Sequence, residues 1–507
     1  MEFARPADLF DRIAEWSDLA GFAALEEPGL RLAIVSGHRR QGKSYLLRRV
    51  ARSANALYHQ AQEVGRVQAL SRFADDISAE LGIGRGKLHF ADWESALRAA
   101  LAYPDRGVDR MPTVGASGPR RMVVIDELPY LLAHSPEIPS VLQELYDESR
   151  DQGGYPPAAV ILCGSALSVM SELLSGAKAL RGRAQLDLTL RPFDYLRARD
   201  YWGIRDPAVA FQVDAVLGGT AGYRPLISAA PPETTAGIGD WLATSVLNPS
   251  HALFQETDYL LREDPRVGDK ALYNSILSAV AAGQHTATGI GGVVGRDHNS
   301  LRYPLRTLEA AGFLTRIEDM LTQKRPLYYI ADPIIRFAEA VIEPYRSLLE
   351  ERDVASAWSK AAPAFAVRVL GPHFEQLALN WTAQHSGDRW GQELGSVGPA
   401  VVNDPLGKSQ HQVDVLALDR TVSRADGKTR IAVIGEAKST KRARTQADLD
   451  RLDRIRQLLG SRGLDVEHAR LALFSREGFD VNLSQAAAER ADVHLIDLGT
   501  LYETRPS

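Results

Sequence analysis

Residues 32–47 read LAIVSGHRRQGKSYLL, a short apolar strand that runs into a glycine-rich turn and then into a helical sequence. From Gly37 to Ser44 the turn fits the pattern G-x-x-x-x-G-K-[ST], which is typical of loops that cradle phosphate groups. Gly37 and Gly42 let the backbone approach an anion closely, so that amide N–H groups and a helix N-terminus point at it. Lys43 supplies a mobile positive charge, and Ser44 can present its hydroxyl to Mg²⁺.

The composition is that of an ordinary folded protein with several domains. The chain has 507 residues, of which 45% are hydrophobic and 24% are charged. A net charge of -5 excludes a globally basic nucleic-acid binder but not local basic patches. The single cysteine, Cys163, excludes an intrachain disulfide framework and fits a reducing compartment. Residues 1–6 contain no apolar signal core and no uncharged apolar run is long enough to span a membrane, so we expect a cytoplasmic protein without a membrane partner.

A second motif follows the phosphate loop. Residues 122–127, MVVIDE, predict a buried strand that ends in two carboxylates. Beside a phosphate loop, Asp126 is expected to order the Mg²⁺ shell and Glu127 to polarise an attacking water. Alone, such a run is more often a strand leaving the core, so the interpretation depends on the loop upstream. Together the two motifs predict nucleotide hydrolysis.

Two further residues are candidates for the same site. Residues 159–165, AVILCGS, predict a strand that ends at Ser165 on the sheet edge where ligand sites form. Ser165 is a candidate γ-phosphate sensor, and a serine that caps the next helix is the alternative. Arg183 is a candidate cation for a transition-state phosphate, in the same chain or in a neighbouring subunit. A solvated surface arginine is the alternative there.

These motifs occur together in a known group of proteins. The matching stretches are Phe10-Asp11-Arg12, the Gly37–Ser44 loop with its internal Arg40, Ile125-Asp126-Glu127, Cys163-Gly164-Ser165, Gly182-Arg183 and Arg191-Pro192-Phe193. They resemble the archaeal-type P-loop ATPases of the AAA/STAND group, and the resemblance covers about the first half of the chain. It implies ATP as the ligand, Mg²⁺ as its ion and a possible homo-oligomer. That group also carries a Gly-Gly-x-Pro motif, whereas here Gly218-Gly219 is followed by a proline only at position 225.

The middle of the chain resembles a winged-helix module. From Lys270 short helical patterns precede a hairpin pattern, and the stretch from Asp332 to Phe337 looks like the Asp-Pro-x-x-Arg-Phe signature that follows this ATPase type. The candidate nucleic-acid contacts are Arg302 and Arg306 on one helix face and Lys324 and Arg325 at the hairpin tip. A lid that packs on the ATPase and touches no DNA is an equal alternative.

The C-terminal third predicts a second chemistry. Glu375 lies in a helical stretch, Asp414 in a strand, and Glu436 and Lys438 two residues apart on the next strand, where alternation places them on one face. The three carboxylates could bind Mg²⁺ or Mn²⁺, with Lys438 beside the metal to activate water or hold the scissile phosphate. This set resembles the PD-(D/E)XK nuclease superfamily.

A basic cluster follows at once. Its members are Lys441, Arg442 and Arg444, which are suited to nucleic-acid phosphates. A solvated start of a helix is the alternative for this cluster.

We therefore expect a multidomain α/β protein with a P-loop ATPase at 1–265, a small winged-helix domain at 266–345 and a restriction-endonuclease-like α/β domain at 346–507. The main hypothesis is that ATP turnover gates a metal-dependent nuclease acting on nucleic acid, with DNA as the expected substrate. The rival is a STAND-like ATP-dependent switch whose nuclease fold only binds. A transcriptional regulator that uses the winged helix alone explains the C-terminal residues poorly.

Overall fold

The computed structural model describes residues 3–102, 121–151, 157–176, 178–264, 266–322, 326–391, 393–404, 407–420 and 429–503. The chain divides into two compact units, which we call unit 1 (residues 1–192 and 260–268) and unit 2 (residues 193–259 and 269–507). Residues 193–259, assigned above to the ATPase, thus group with the C-terminal part of the chain. Among the helices of the described ranges, none combines the length and the apolar character needed to cross a membrane.

Unit 1 is built on a parallel sheet, as the alternation of strand and helix patterns predicts. Its strands are β1 (Leu30–Ser36), β2 (Leu57–Gln60), β3 (Arg121–Asp126), β4 (Ala158–Gly164) and β5 (Ala184–Thr189). Their spatial order is β2-β3-β4-β1-β5, and every neighbouring pair is parallel. The carboxyl ends of β1, β3 and β4 therefore meet at one edge of the sheet, where the predicted motifs begin.

Helices cover both faces of this sheet. They are α1 (Ile13–Ala24), α2 (Lys43–Ser53), α3 (Arg66–Glu80), α4 (Trp93–Ala102), α5 (Leu128–Leu132), α6 (Ile138–Asp151) and α7 (Leu167–Glu172). On one face, alternate residues of the central strands pack with α3, α4 and α6, and on the other face they pack with α1 and α2. Burial on both faces explains why the central strands β1, β3 and β4 are mostly apolar in sequence.

Unit 2 combines helices from two separated parts of the chain. The earlier ones are α8 (Tyr195–Trp202), α9 (Pro207–Leu217) and α10 (Ile238–Thr244), and α11 (Glu256–Glu263) crosses from one unit to the other at residue 260. The later ones are α12 (Lys270–Ala281), α13 (Ala287–Val294), α14 (Arg302–Ala310), α15 (Pro333–Phe337), α16 (Arg346–Glu350), α17 (Val354–Ala364), α18 (Gly371–Trp390), α19 (Gln446–Ser461), α20 (Val481–Ala488) and α21 (Leu498–Tyr502). Short 3-10 segments run over Ala221–Leu226, Thr235–Gly237, Ala252–Gln255 and Glu343–Tyr345, and π segments over Ala338–Ile342 and Phe365–Leu370.

The strands of unit 2 form a hairpin and a mixed sheet. The hairpin pairs β6 (Leu314–Glu318) with β7 (Pro326–Ile330). The sheet contains β8 (Leu394–Asp404), β9 (Ser409–Asp419), β10 (Ile431–Lys438), β11 (Arg470–Ser475) and β12 (Val493–Asp497) in the order β12-β11-β10-β9-β8. Pairing is antiparallel from β8 to β10 and parallel from β10 to β12.

The segment after β6 is fastened to the edge of this mixed sheet. The Asp319 carboxylate accepts the backbone N–H of Val401 at 2.8 Å. The backbone N–H of Met320 donates to the Pro399 carbonyl at 3.0 Å. The hairpin of the predicted winged helix and the predicted nuclease sheet are consequently parts of one packed unit.

The two glycines at 218 and 219 permit a turn and a close approach between two backbone segments of the chain. Gly218 ends α9 at φ 57°, a left-handed conformation that favours glycine. A Cβ on Gly219 would lie 1.9 Å from the Phe193 carbonyl oxygen, and the Phe193 N–H donates to the Gly219 carbonyl at 2.9 Å. This contact joins Gly219 to Phe193, whereas a Cβ on Gly218 would meet the Pro333 ring at 3.1 Å.

We expect Gly219→Ala to destabilise unit 2 by about 1–3 kcal/mol or more, because the added methyl group collides with backbone that cannot rotate away. Gly292→Ala is the matched control: Gly292 lies within α13, and a Cβ added there would meet no atom within 4 Å. Alanine at that position should be neutral or stabilising by up to about 1 kcal/mol. Thermal unfolding followed by circular dichroism compares the two. Equal unfolding temperatures for the two variants would contradict the contact.

Candidate functional site

The phosphate loop connects β1 to α2 with the backbone that its glycines permit. Gly37 has φ 149°, and a Cβ there would lie 2.5 Å from the Leu190 carbonyl oxygen. Gly42 has φ 91° and is the N-cap of α2. Arg40 adopts φ 65°, so the loop turns sharply at a non-glycine residue as well. Both glycines of the predicted motif are thus required by the local geometry.

The lysine of the loop is held inside it. Lys43 is 4% exposed, and its Nζ donates to the carbonyls of Gly37 at 2.7 Å and His38 at 2.9 Å. Ser44 follows in the first turn of α2, half-buried. The ammonium group can therefore reach a phosphate bound in the loop by exchanging carbonyl partners for phosphate oxygens.

The two carboxylates of the second motif lie in different environments. Asp126 ends β3 and is fully buried, and its carboxylate accepts the Tyr58 hydroxyl at 2.5 Å and the Glu127 N–H at 3.1 Å. Glu127 is the N-cap of α5 in a left-handed conformation, φ 57°. Its carboxylate accepts the Ser165 hydroxyl at 3.1 Å. The structure thus brings Ser165, at the end of β4, to the predicted general base.

Arg183 is engaged by its own chain. Its guanidinium donates to both oxygens of Asp147, at 2.9 Å and 2.8 Å, and to the Ala179 carbonyl at 3.0 Å. The hydrogen bond to Asp147 is the main cause of the raised pKa of Arg183. A role on a transition-state phosphate would require this bidentate pair to open.

Glu263, the last residue of α11, places a carboxylate beside the phosphate loop. Arg39 in the loop is ion-paired with Glu263. Burial raises the pKa of Glu263, while the positive charge of Arg39 lowers it. The loop is therefore stabilised by a residue that is distant in sequence but belongs to the same unit.

The four C-terminal candidates also come together. Lys438 Nζ lies 3.2 Å from Glu436 Oε1 and 3.8 Å from Asp414 Oδ2, which confirms that Glu436 and Lys438 share a strand face. Asp414 accepts the Ala437 N–H at 2.9 Å. Burial, with the charge of Asp414 as the second cause, raises the pKa of Glu375 to about 7. Burial also raises the pKa of Asp414.

Two arginines, Arg444 and Arg451, lie beside Glu436, one of the predicted metal ligands. Glu436 is 2% exposed and is ion-paired with Arg451 of α19. Arg444 is 8% exposed and lies 2.5 Å from Asp448 and 3.5 Å from Glu436. Within the described ranges, no group of three or more His, Cys, Asp or Glu side chains is arranged so that it could hold a metal ion. The three-carboxylate metal set stays a prediction, and the charge of Arg444 is used inside the protein.

The remaining predicted nucleic-acid contacts are partly described. Arg302 and Arg306 are exposed on α14, and Lys441 and Arg442 are exposed after β10. Lys324 and Arg325, predicted at the hairpin tip, lie outside the described residues. Of the predicted contacts, the exposed basic side chains that the structure describes therefore lie on α14 and in the segment after β10.

Some residues of both sites carry no motif in the sequence. Tyr58 reaches Asp126 from the neighbouring strand β2. Tyr329 of β7 stacks on His285 with ring centroids 4.4 Å apart, and burial and the charges of Glu375 and Asp414 raise its pKa. Arg336 is buried and donates to the Ile330 carbonyl at 2.8 Å, and burial lowers its pKa to about 10. Pairings between distant segments place these residues, and no local pattern identifies them.

Comparisons with known proteins give distant likenesses. No family model matches the chain. It is 24% identical over 331 residues to the uncharacterized protein MJECL04 of Methanocaldococcus jannaschii, over 64% of this chain and 67% of that protein. Among solved structures it is similar to the Walker-type ATPase PABY2304 of Pyrococcus abyssi, with TM-score 0.47, 18% identity and coverage of 67% of this chain and 99% of that one. It is also similar to the Aeropyrum pernix ORC2 protein, with TM-score 0.40, 15% identity and coverage of 70% and 97%.

Glu375 should make the stability of unit 2 fall as pH rises. Its carboxyl keeps its proton up to about pH 7 when folded but loses it near 4.5 when unfolded, so its stabilising contribution is complete below 4.5 and lost as pH passes 7. We expect the wild-type melting temperature in EDTA to decrease more steeply between about pH 5 and 8 than that of Glu375→Gln. Glu393→Gln, which removes an exposed carboxylate, should retain the wild-type slope. Equal slopes for Glu375→Gln and wild type would contradict the environment of Glu375.

Proposed function

We propose that this chain binds and hydrolyses ATP in unit 1. The observation that carries the proposal is the meeting of three strand ends at one sheet edge: Lys43 follows β1, Glu127 follows β3 and Ser165 follows β4. A phosphate-binding loop, a carboxylate held by a hydroxyl and a buried carboxylate at Asp126 are the parts that P-loop hydrolysis requires.

The residues present fit a magnesium-bound nucleotide. The hydroxyl of Ser44 and the carboxylate of Asp126 are oxygen donors of the kind that Mg²⁺ prefers. When bound, the ion neutralises charge on the phosphate oxygens. Lys43 would bind the β- and γ-phosphates, and Glu127 would orient water, with Ser165 setting the direction of its carboxylate.

Two substitutions separate ATP binding from hydrolysis. Lys43→Ala removes a charge-assisted contact, so we expect at least about tenfold weaker ATP binding. Glu127→Gln keeps the binding groups and loses the base, so we expect near-normal affinity and turnover lower by about 10²–10⁴-fold. Affinity is measured with a fluorescent ATP analogue, and turnover by phosphate release.

Lys87→Ala, an exposed lysine of unit 1, is the matched control and should behave as wild type. Wild-type turnover that Glu127→Gln leaves unchanged would overturn the proposal.

We further propose that ATP turnover gates a metal-dependent nuclease in unit 2 that acts on nucleic acid, with DNA as the expected substrate. Support comes from the proximity of Lys438 to Glu436 and Asp414, and from Glu375, whose pKa responds to the charge of Asp414. A lysine beside two buried carboxylates suits a site that binds metal and a phosphodiester. Exposed Arg302, Arg306, Lys441 and Arg442 would contact the nucleic-acid backbone.

The rival function is a STAND-like switch whose C-terminal sheet binds without cutting. The observation that favours it is the engagement of Glu436 by Arg451, Arg444 and Lys438. Three cations on one buried carboxylate neutralise the charge that a metal ion would need. In this case ATP binding would alter assembly, and a homo-oligomer would be the partner expected.

Labelled DNA and RNA, incubated with Mg²⁺ or Mn²⁺ and with or without ATP, distinguish the two functions. For a gated nuclease we expect cleavage by wild type, a loss of at least about 100-fold in Lys438→Ala because its charge stabilises the transition state, and ATP dependence that Lys43→Ala abolishes. Lys408→Ala, an exposed lysine before β9, is the matched control. ATP turnover without cleavage of either substrate under any condition would favour the switch.

A further inference from the structure

A cavity of about 700 Å³ lies in unit 1 beside β2, which is one of the two edge strands of the parallel sheet. Residues of α2 line one wall and residues of α3 the other, because these helices cover opposite faces of the sheet. The volume is that of a small-molecule site. The described lining contains no residue of the Gly37–Ser44 loop and none of Asp126, Glu127 and Ser165, so its residues differ from those of the predicted ATP site.

The cavity is rich in arginine. Arg48 and Arg52 come from α2, Arg72 comes from α3, and Arg85 comes from the segment after it. Within the described part of the chain, none of the four forms an ion pair with a carboxylate. A guanidinium group can donate two parallel hydrogen bonds to two oxygens of one phosphate. The four arginines lie on the two facing walls of the cavity.

The acidic groups of the lining are already used. Asp75 accepts the Gly86 N–H at 2.8 Å. Asp76 contacts His59 Nδ1 at 2.7 Å. The two aspartates therefore hold the walls in place and leave an excess of positive charge for a ligand.

Two buried nitrogen atoms of the lining lack a partner within the described ranges. His59 is 2% exposed, its ring packs edge-on against Phe73 at 5.0 Å, and its Nε2 has no hydrogen-bond partner among the described residues. Nε of Arg72 is likewise buried without a partner there. A buried polar atom without a hydrogen bond costs free energy that a bound ligand can recover.

We propose that this cavity binds a small anion that carries at least two phosphate groups. One phosphate would contact Arg48 and Arg52, and the other would contact Arg72 and Arg85. A cavity of about 700 Å³ with cationic walls fits a small ligand better than a nucleic-acid strand, which needs an extended surface.

The position of the cavity links it to the predicted ATP site. The Arg48 guanidinium lies over the Tyr58 ring, 5.2 Å from its centroid. The Tyr58 hydroxyl in turn donates to Asp126 at 2.5 Å. An anion bound to Arg48 would therefore be linked to Asp126 through a single residue, Tyr58. This link rests on the proposed ATPase, whereas anion binding does not.

Isothermal titration calorimetry with pyrophosphate tests the proposal on the full chain. Lys43→Ala serves as the starting protein, because it weakens binding in the phosphate loop. We expect Arg52→Ala/Arg85→Ala in this background to weaken pyrophosphate binding at least about tenfold, since one cation is lost from each wall. Both arginines are exposed, so the fold should be kept, as circular dichroism can verify.

Lys178→Ala/Arg181→Ala removes the same charge from exposed positions outside the cavity and should bind within about twofold of the starting protein. Equal affinity of the two double variants would overturn the proposal. So would complete loss of pyrophosphate binding in Lys43→Ala alone, or tighter binding of a single-stranded oligonucleotide with the same arginine dependence. None of these results depends on ATP turnover, so failure here is distinct from failure of the ATPase proposal.

Discussion

The close approach of Gly37 to the Leu190 carbonyl shapes the whole phosphate loop. With a potential Cβ only 2.5 Å from that oxygen, position 37 tolerates no side chain, and the chain after β1 must turn directly beside the end of β5. The Leu190 N–H donates to the Ser36 carbonyl at 2.7 Å, which fixes the same point from the other direction. The start of α2, and with it the direction of Lys43, follows from this contact.

Much of unit 1 could be predicted because its strands and its candidate site residues correspond to short patterns in the sequence. Strands buried on both faces read as apolar runs, and the residues that follow them read as motifs. The sequence alone allows Ser165 to be either a γ-phosphate sensor or a helix cap, and in the structure its hydroxyl donates to the Glu127 carboxylate. Tyr58 could not be predicted, because its hydroxyl meets Asp126 only through the pairing of β2 with β3, in which Gln60 lies opposite Asp126.

Unit 2 was harder to predict for a physical reason. Strand alternation predicts that the side chains of Glu436 and Lys438 lie on one face of β10, and in the structure they are 3.2 Å apart. Arg451 comes from α19 and Tyr329 from the hairpin, and both approach the carboxylates through packing that no period encodes. The charge balance of the C-terminal site is therefore a tertiary property: motif residues supply the negative charge, and residues from other elements decide how much of it is free.

The division of the chain also determines how the protein can be dissected. Unit 1 includes residues 260–268, and Asp264 in this segment accepts the Ser168 hydroxyl at 2.6 Å, with both residues buried. A fragment that ended at Pro192 would leave Ser168 without that partner and Arg39 without Glu263. No single continuous piece of the sequence corresponds to unit 1 alone. A fragment for separate study would therefore need residues 1–192 together with residues 260–268, and residues 193–259 would stay with the rest of unit 2.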